Sequence, residues 1–307
     1  MKNKRIVMFG WADSIPVQRW CKGLAGRGWQ IKLISTVGIQ MEGIETVILP
    51  RNSMLSYFSN IWRAKAEAKL HRPDLVHAHY VTGNGLLALS SGIRPMVSSV
   101  WGSDIDTRAN NWLANMIAKK VILASNQVTA TSGFLKSQIQ KRVKHVSVSV
   151  IPFGVRIPPE IKQPPDPRPF KICYLKPHKA VYGPDVLVEA LAIVVREFPE
   201  VELTMAGDQN EYTVKIKQQI VRNDLESRVK FVGFVKNENV HSFISENHLL
   251  VMPSRSEGFG VSAVEAGAGG RAVVATNVGG IPEIVSDGKS GLLVPPDDPL
   301  ALANAIL

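Results

Sequence analysis

With 307 residues, 45% hydrophobic and 20% charged, the chain is long enough for two ordinary domains and has a globular rather than a disordered or fibrous composition. Only two cysteines, Cys21 and Cys173, stand far apart in apolar surroundings, which excludes a disulfide framework and fits a reducing compartment. The net charge of +10 is uneven: residues 1–153 hold 20 Lys+Arg against 7 Asp+Glu, whereas residues 154–307 hold 16 against 19.

The pattern predicts a buried strand over residues 5–9, whose apolar run, Ile6 to Gly10, is too short for a signal peptide, and a helix over 15–27. Strands follow at 31–35 and 46–49, a helix at 55–70, strands at 75–78 and 96–100, a helix near 111–124, and strands at 128–130 and 146–151. No apolar run approaches the length of a membrane span. Residues 157–169, IPPEIKQPPDPRP, hold six prolines and read as an extended linker. The alternation then restarts, with strands at 171–175, 201–206, 229–232, 249–252 and 272–275 and helices at 184–198, 212–223 and 239–246, before a further helix that carries Glu265. Strand–helix alternation of this kind implies parallel sheets covered on both faces, and hence two α/β domains with a ligand cleft at the carboxyl ends of their strands.

Residues 253–296 carry the strongest chemical signal. Glu257 and Glu265 stand eight residues apart around Gly258-Phe259-Gly260, which opens a helix, and Gly279-Gly280 follows after the next strand. Glycines admit close backbone approach, and helix-start amides attract anions. Carboxylates beside such a turn suit sugar or ribose hydroxyls. The two lie about two helical turns apart, so they take separate tasks and do not share one atom. Lys176, after the strand at 171–175 and near the helix opened by Gly183-Pro184, suits a diphosphate, as does Lys179. Gly207-Asp208 closes another strand, where a loop can meet base or ribose.

In the first half, His77 and His79 alternate at one strand end, and Trp101-Gly102-Ser103-Asp104 closes the next, so His77, His79, Trp101 and Asp104 form a predicted site rim. Asp104-Ile105-Asp106 has the form of an Asp-x-Asp metal motif, but it follows a glycine turn in a two-domain α/β chain, and no metal is assigned. The start, Gly10-Trp11-Ala12-Asp13-Ser14, has no G-x-G-x-x-G, which leaves hydride transfer unsupported. The basic first half implies an anionic partner (phosphorylated acceptor, membrane surface or nucleic acid) or ordinary solvated charge. Nucleic acid is excluded by the lack of a basic–aromatic cluster or binding module.

These motifs resemble the retaining glycosyltransferases of family 4, which have the GT-B fold. PSRSEGFGVSAVEA is similar to the family's Glu-x7-Glu signature. NVGGIPEIVSDGKSGLLVPPDDP, FVGFV and AGD extend the likeness through the second domain, and DLVHAHY, WGSDI, TATSGFLK and VIPFGV carry it more loosely through the first. The resemblance implies two Rossmann-like domains, residues 1–153 on the acceptor side and 170–307 on the nucleotide-sugar side, joined by the linker at 154–169. It implies that Glu265 binds the donor ribose, that Glu257 with the amides of Gly258, Phe259 and Gly260 binds the transferred sugar, and that Lys176 assists departure of the diphosphate. It implies retention, no cofactor and no required metal. Where the family has Arg and then Lys-Gly, this chain has Lys176 and Tyr182-Gly183. The first-domain Gly-Gly loop is replaced by WADSIPVQRW, where Ser14 or Arg19 substitutes. Trp101 stands where many members have His, and members continue beyond the position of Leu307 with helices that cross back to the first domain.

The sequence therefore predicts a cytoplasmic enzyme at the inner membrane face, moving a sugar from a UDP- or GDP-sugar to an envelope glycan, glycolipid or lipid-linked acceptor, with an anionic membrane surface as a further partner. The alternative is a catalytically weak or inactive nucleotide-sugar-binding subunit of the same fold. A GT-B epimerase leaves the Glu257/Glu265 block unexplained.

Overall fold

The structure is a computed structural model that describes residues 4–51, 53, 55–105 and 112–307. The chain folds into two compact units, Met1–Phe153 and Gly154–Leu307.

Unit 1 runs β1 (Arg5–Phe9), α1 (Ile15–Ala25), β2 (Gln30–Ser35), β3 (Glu45–Ile48), α2 (Ser56–Ser59), α3 (Ile61–Leu70), β4 (Leu75–His79), α4 (Gly83–Ser91), β5 (Met96–Val100), α5 (Trp112–Ala124), β6 (Gln127–Ala130), α6 (Gly133–Arg142) and β7 (Val148–Val150). Its seven strands are all parallel, in the order β3-β2-β1-β4-β5-β6-β7. Helices on both faces explain why β1 is apolar and buried from Ile6 to Phe9. One face packs under α3 to α6, with Phe9, Val76, Leu87, Val121 and Ile139 in the core; the other packs under α1 through Met8, Val17, Cys21 and Leu33.

Three local features depart from the sequence expectation. The single helix expected over 55–70 is broken, because Asn60 turns its side-chain amide to the carbonyls of Pro50 at 2.6 Å and Ser56 at 2.8 Å. Helix α4 was not expected from GNGLLALSS, whose glycines weaken helix propensity. Tertiary packing selects them: a methyl on Gly83 would lie 2.4 Å from the Tyr57 ring. Helix α6 was also unexpected, and it starts where the Ser132 hydroxyl accepts from the amide of Leu135 at 3.1 Å.

Unit 2 runs β8 (Lys171–Leu175), α7 (Pro184–Glu197), β9 (Glu202–Ala206), α8 (Glu211–Arg222), β10 (Val229–Gly233), α9 (Val240–Ser245), β11 (Leu249–Met252), α10 (Val261–Ala268), β12 (Ala272–Thr276), β13 (Leu292–Val294) and α11 (Pro299–Ile306). Its six parallel strands are ordered β10-β9-β8-β11-β12-β13. Helices α7, α8 and α11 cover one face, and α9 and α10 the other.

The proline-rich segment is irregular, as its composition requires, but it is fastened to unit 2. The buried Arg271 guanidinium donates to the carbonyls of Lys162 at 3.1 Å and Gln163 at 3.0 Å, and also to Ser245 and Asn247, each at 2.8 Å. His248 stacks on Phe170, with ring centroids 4.7 Å apart. Among the described residues, no helix is long and apolar enough to cross a membrane.

Candidate functional site

In an open parallel sheet, ligands are met where the strand order reverses. In unit 2 that point lies between β8 and β11, paired in parallel with Leu249 opposite Ile172. The loops at their carboxyl ends carry Lys176 and Glu257. The Lys176 ammonium donates to Glu257 Oε2 at 2.6 Å, and both side chains are largely buried, at 14% and 12% exposed. The same ammonium lies 5.2 Å from the centroid of the Tyr182 ring, so a carboxylate and an aromatic face hold the one cation.

Two glycines bring the backbone close to this pair. Gly207, at φ 148°, lies so near the Lys176 carbonyl oxygen that a methyl would stand 1.9 Å from it. Gly279, at φ 60°, bears in the same way on the Glu257 carbonyl oxygen, at 1.7 Å. That oxygen accepts from the Gly280 amide at 3.1 Å, so the second glycine turn is the floor under Glu257.

Arg255, which the sequence reading did not single out, joins the two loops. It forks onto Asp185 in the first turn of α7 at 2.9 and 2.6 Å, donates to the Ala180 carbonyl at 2.5 Å, and meets Asp297 at 2.5 Å. Its amide also donates to the Val181 carbonyl at 2.9 Å. Burial pushes the Asp185 carboxyl up, but the guanidinium outweighs it and holds the group below its ordinary value. The only sequence sign was an arginine two residues before Glu257.

The remaining predicted donor residues cluster along α10 or line neighbouring loops. Gly260 opens α10 at φ 99°, Phe259 is buried, and Gly258 is half-buried. Glu265 lies in α10 and is 8% exposed. Lys179 and Asp208 are exposed, and the Asp208 carbonyl accepts from the His178 amide at 3.2 Å. Buried His178 bonds Thr213 Oγ1 at 3.1 Å through Nδ1, and its Nε2 has no hydrogen-bond partner among the described residues.

The first-half candidates gather where the order reverses in the other sheet, between β1 and β4. His77 and His79 do point the same way, with ring centroids 4.2 Å apart, but both are buried instead of standing open at a rim. His77 Nε2 bonds Ser99 Oγ at 2.8 Å, and burial lowers its pKa to about 4. Burial, and then the neighbouring His77, hold His79 well below its ordinary value, and neither of its ring nitrogens has a hydrogen-bond partner among the described residues.

Half-buried Trp101 packs against His79, Tyr80 and Phe153 at centroid distances of 5.1, 5.0 and 5.2 Å. Tyr80 is held at φ 73°, a strained conformation for a bulky side chain. The buried Asp104 carboxylate accepts from the amides of Val81, Trp101 and Gly102 at 2.9–3.1 Å. Its geometry therefore ties two loops together. Burial pushes its carboxyl up, against the pull of those three amides. Ser14 caps α1 without a side-chain bond, and half-buried Arg19 lies on that helix. Asp106 lies outside the described residues. Both cysteines are free and buried.

Two parallel α/β units, each with its own reversal of strand order, are the architecture of the GT-B fold. The model for glycosyl transferases group 1 matches residues 170–307, and that for glycosyl transferase 4-like proteins matches residues 5–132. An uncharacterized glycosyltransferase of Methanocaldococcus jannaschii is 31% identical over 258 residues, covering 82% of this chain and 70% of that protein. The chain belongs to the group 1 glycosyltransferases.

Sucrose-phosphate synthase of Thermosynechococcus elongatus superimposes with a TM-score of 0.86 at 22% identity, covering 99% of this chain and 88% of that one. The Anabaena protein HepE in complex with UDP-glucose gives 0.81 at 21% identity, covering 98% and 88%. The chain spans 58–70% of the length of the first curated relatives it matches.

Proposed function

We propose that the chain transfers a sugar from a nucleotide diphosphate sugar, most simply a UDP- or GDP-sugar, to an envelope glycan, glycolipid or lipid-linked acceptor, in the cytoplasm at the inner membrane face. The observation that carries this reading is the Lys176–Glu257 pair at the β8–β11 switch point, with glycine turns against both backbones. Without a donor the two charges satisfy each other. An arriving diphosphate takes the ammonium as its counter-charge, which frees the Glu257 carboxylate to accept from a sugar hydroxyl. The amides that open α10 add positive potential beside it, and Glu265 takes the ribose.

Transfer proceeds with retention and without a required metal. The acceptor hydroxyl forms the new bond to the anomeric carbon as the bond to the diphosphate breaks, and the leaving phosphate oxygen takes the acceptor's proton. Catalysis then rests on positioning and on neutralising the diphosphate. Residues 1–153 are the acceptor side in this reading, in keeping with their excess of basic residues.

A second reading, a nucleotide-sugar-binding subunit without turnover, draws on one observation: Tyr182 offers Lys176 a ring where related motifs carry a second cation. Nucleotide release from a panel of UDP-, GDP- and ADP-sugars separates the two. Turnover with one donor, abolished by Glu257→Ala and by Lys176→Ala, supports the enzyme. Thermal stabilisation by a donor with no turnover, in this chain and in a C-terminally extended version, refutes it in favour of the binding subunit.

A further inference from the structure

The outward face of α2 and α3 carries large apolar side chains where a helix packed on a soluble core is ordinarily polar. Tyr57, Asn60, Ala64 and Ala68 point inward and are 3%, 4%, 0% and 0% exposed. Tyr57 packs against Gly83, and the two alanines lie buried in the same core as α4. That register fixes the opposite face, where Leu55, Phe58 and Trp62 stand 71%, 41% and 78% exposed at spacings of three and four residues. Leu55 and Trp62 are largely open to solvent, and Phe58 partly so.

The charge on this stretch is mainly positive. Residues 55–70 contain Arg63, Lys65 and Lys69 and a single carboxylate, Glu67, which is drawn inward to the Lys32 ammonium at 3.1 Å. Lys65 Nζ stands 5.8 Å from the Trp62 ring, an ammonium at the margin of the apolar face. Helix α5, which shares α4 as a neighbour with α3, repeats the arrangement. Trp112, Met116 and Leu123 are 73%, 39% and 62% exposed; Lys119 and Lys120 lie among them, and residues 112–124 contain no Asp or Glu. Residues 83–91, the length of α4, carry no charge at all. The helical layer α3–α4–α5 therefore presents protruding tryptophans and aliphatics set in cations, with its one acidic side chain already paired.

We infer that this layer of unit 1 is a docking surface for an anionic lipid bilayer, with Leu55, Phe58 and Trp62 entering the interface and Arg63, Lys65 and Lys69 meeting lipid headgroups. Tryptophan and basic residues on one helix face are the composition of an interfacial helix, whose binding grows with both buried apolar area and anionic lipid. A nucleic acid has no use for the aliphatic members. The inference deepens the proposed membrane-side acceptor, but its measurement needs no turnover. Nucleotide release in solution needs no vesicles, so the two readings fail separately.

The test is co-sedimentation of the full chain with phosphatidylcholine vesicles and with mixed phosphatidylcholine–phosphatidylglycerol vesicles, beside size-exclusion light scattering without lipid. Binding to the anionic vesicles alone, weakened by salt and cut by about tenfold or more in Leu55→Ser/Phe58→Ser/Trp62→Ser, bears the inference out. Arg63→Gln/Lys65→Gln/Lys69→Gln should lose the preference for anionic lipid. Melting temperatures and far-UV circular dichroism of both variants, unchanged from the parent, confirm that they fold. Equal binding to neutral and anionic vesicles, or no loss in the apolar triple variant, overturns the inference. So does a dimer in solution that the triple variant dissolves, which would make a second copy the occupant.

Discussion

Gly279→Ala is the sharpest test of how the site is held, because Gly288 supplies an internal control. Both glycines have positive φ, 60° and 70°, yet a methyl at 288 meets nothing within 4 Å, whereas at 279 it would stand 1.7 Å from the Glu257 carbonyl oxygen. Gly288→Ala therefore costs only the left-handed strain, about 1–2 kcal/mol. Gly279→Ala bears that cost too, and the contact must open from 1.7 Å to beyond 3.0 Å against backbone that cannot rotate away. Overpacking of this kind adds about 1–3 kcal/mol, and loss of the Gly280–Glu257 hydrogen bond about 1 kcal/mol more. The sum is about 4 kcal/mol, at about 2–4 °C of melting temperature per kcal/mol for a unit of this size. A shift of about 1 Å at Glu257 should also lower transfer by about 100-fold, while Gly288→Ala leaves transfer intact. Thermal melts of both variants and nucleotide release from the active donor measure the two effects. If Gly279→Ala melts with Gly288→Ala and turns over like the parent, the second glycine turn does not support Glu257.

Three further outcomes are expected. Arg271→Met leaves at least four carbonyls without their donor, so it should destabilise unit 2 by about 3 kcal/mol and speed proteolysis across residues 157–169; unchanged cleavage would show that the segment is held some other way. Burial lowers the His77 pKa from 6.5 to about 4, so the unfolded chain takes this proton first as pH falls. Stability is then full above about pH 6.5 and declines toward about pH 4 by about 3 kcal/mol, and urea midpoints across that window should flatten in His77→Gln. An equal slope in the variant would refute the assignment. Arg255→Ala should cut kcat/KM by about tenfold through misplacement of Lys176 against Glu257, with Arg255→Lys recovering only part, since an ammonium cannot fork onto Asp185. Full recovery by lysine would count against the forked geometry.

The strands were the most legible part of the fold. β11 is a continuous apolar run, and β1 and β8 are so after their first residue, as burial on both faces of a parallel sheet favours. Helices were less so. Asn60 breaks the stretch at 55–70 by bonding a carbonyl ten residues back, and the glycines of α4 make sense only once Tyr57 lies across Gly83 and Val121 across Gly85. The proline-rich segment was expected as an extended linker; what holds it, Arg271, comes about a hundred residues later, beyond the reach of any local pattern. His77 and His79 were placed on one side of the strand, but the pattern alone could not show that they are covered by Trp101 and Trp20.

By itself the sequence determined what is local: the alternation of strand and helix, the glycine turns, the two carboxylates set along one helix start, and the excess of cations in residues 1–153. These are properties of neighbouring residues and of composition, and they carry the likeness to group 1 glycosyltransferases. Only the tertiary structure decided which distant groups meet. Lys176 and Glu257 lie 81 residues apart and touch because β8 and β11 pair at the reversal of the sheet order. The same holds for Arg255 with Asp185, and for the outward face of α3, which is fixed by what its inward face packs against. Such pairings follow from strand order and helix register, and those are settled by the packing of the whole core.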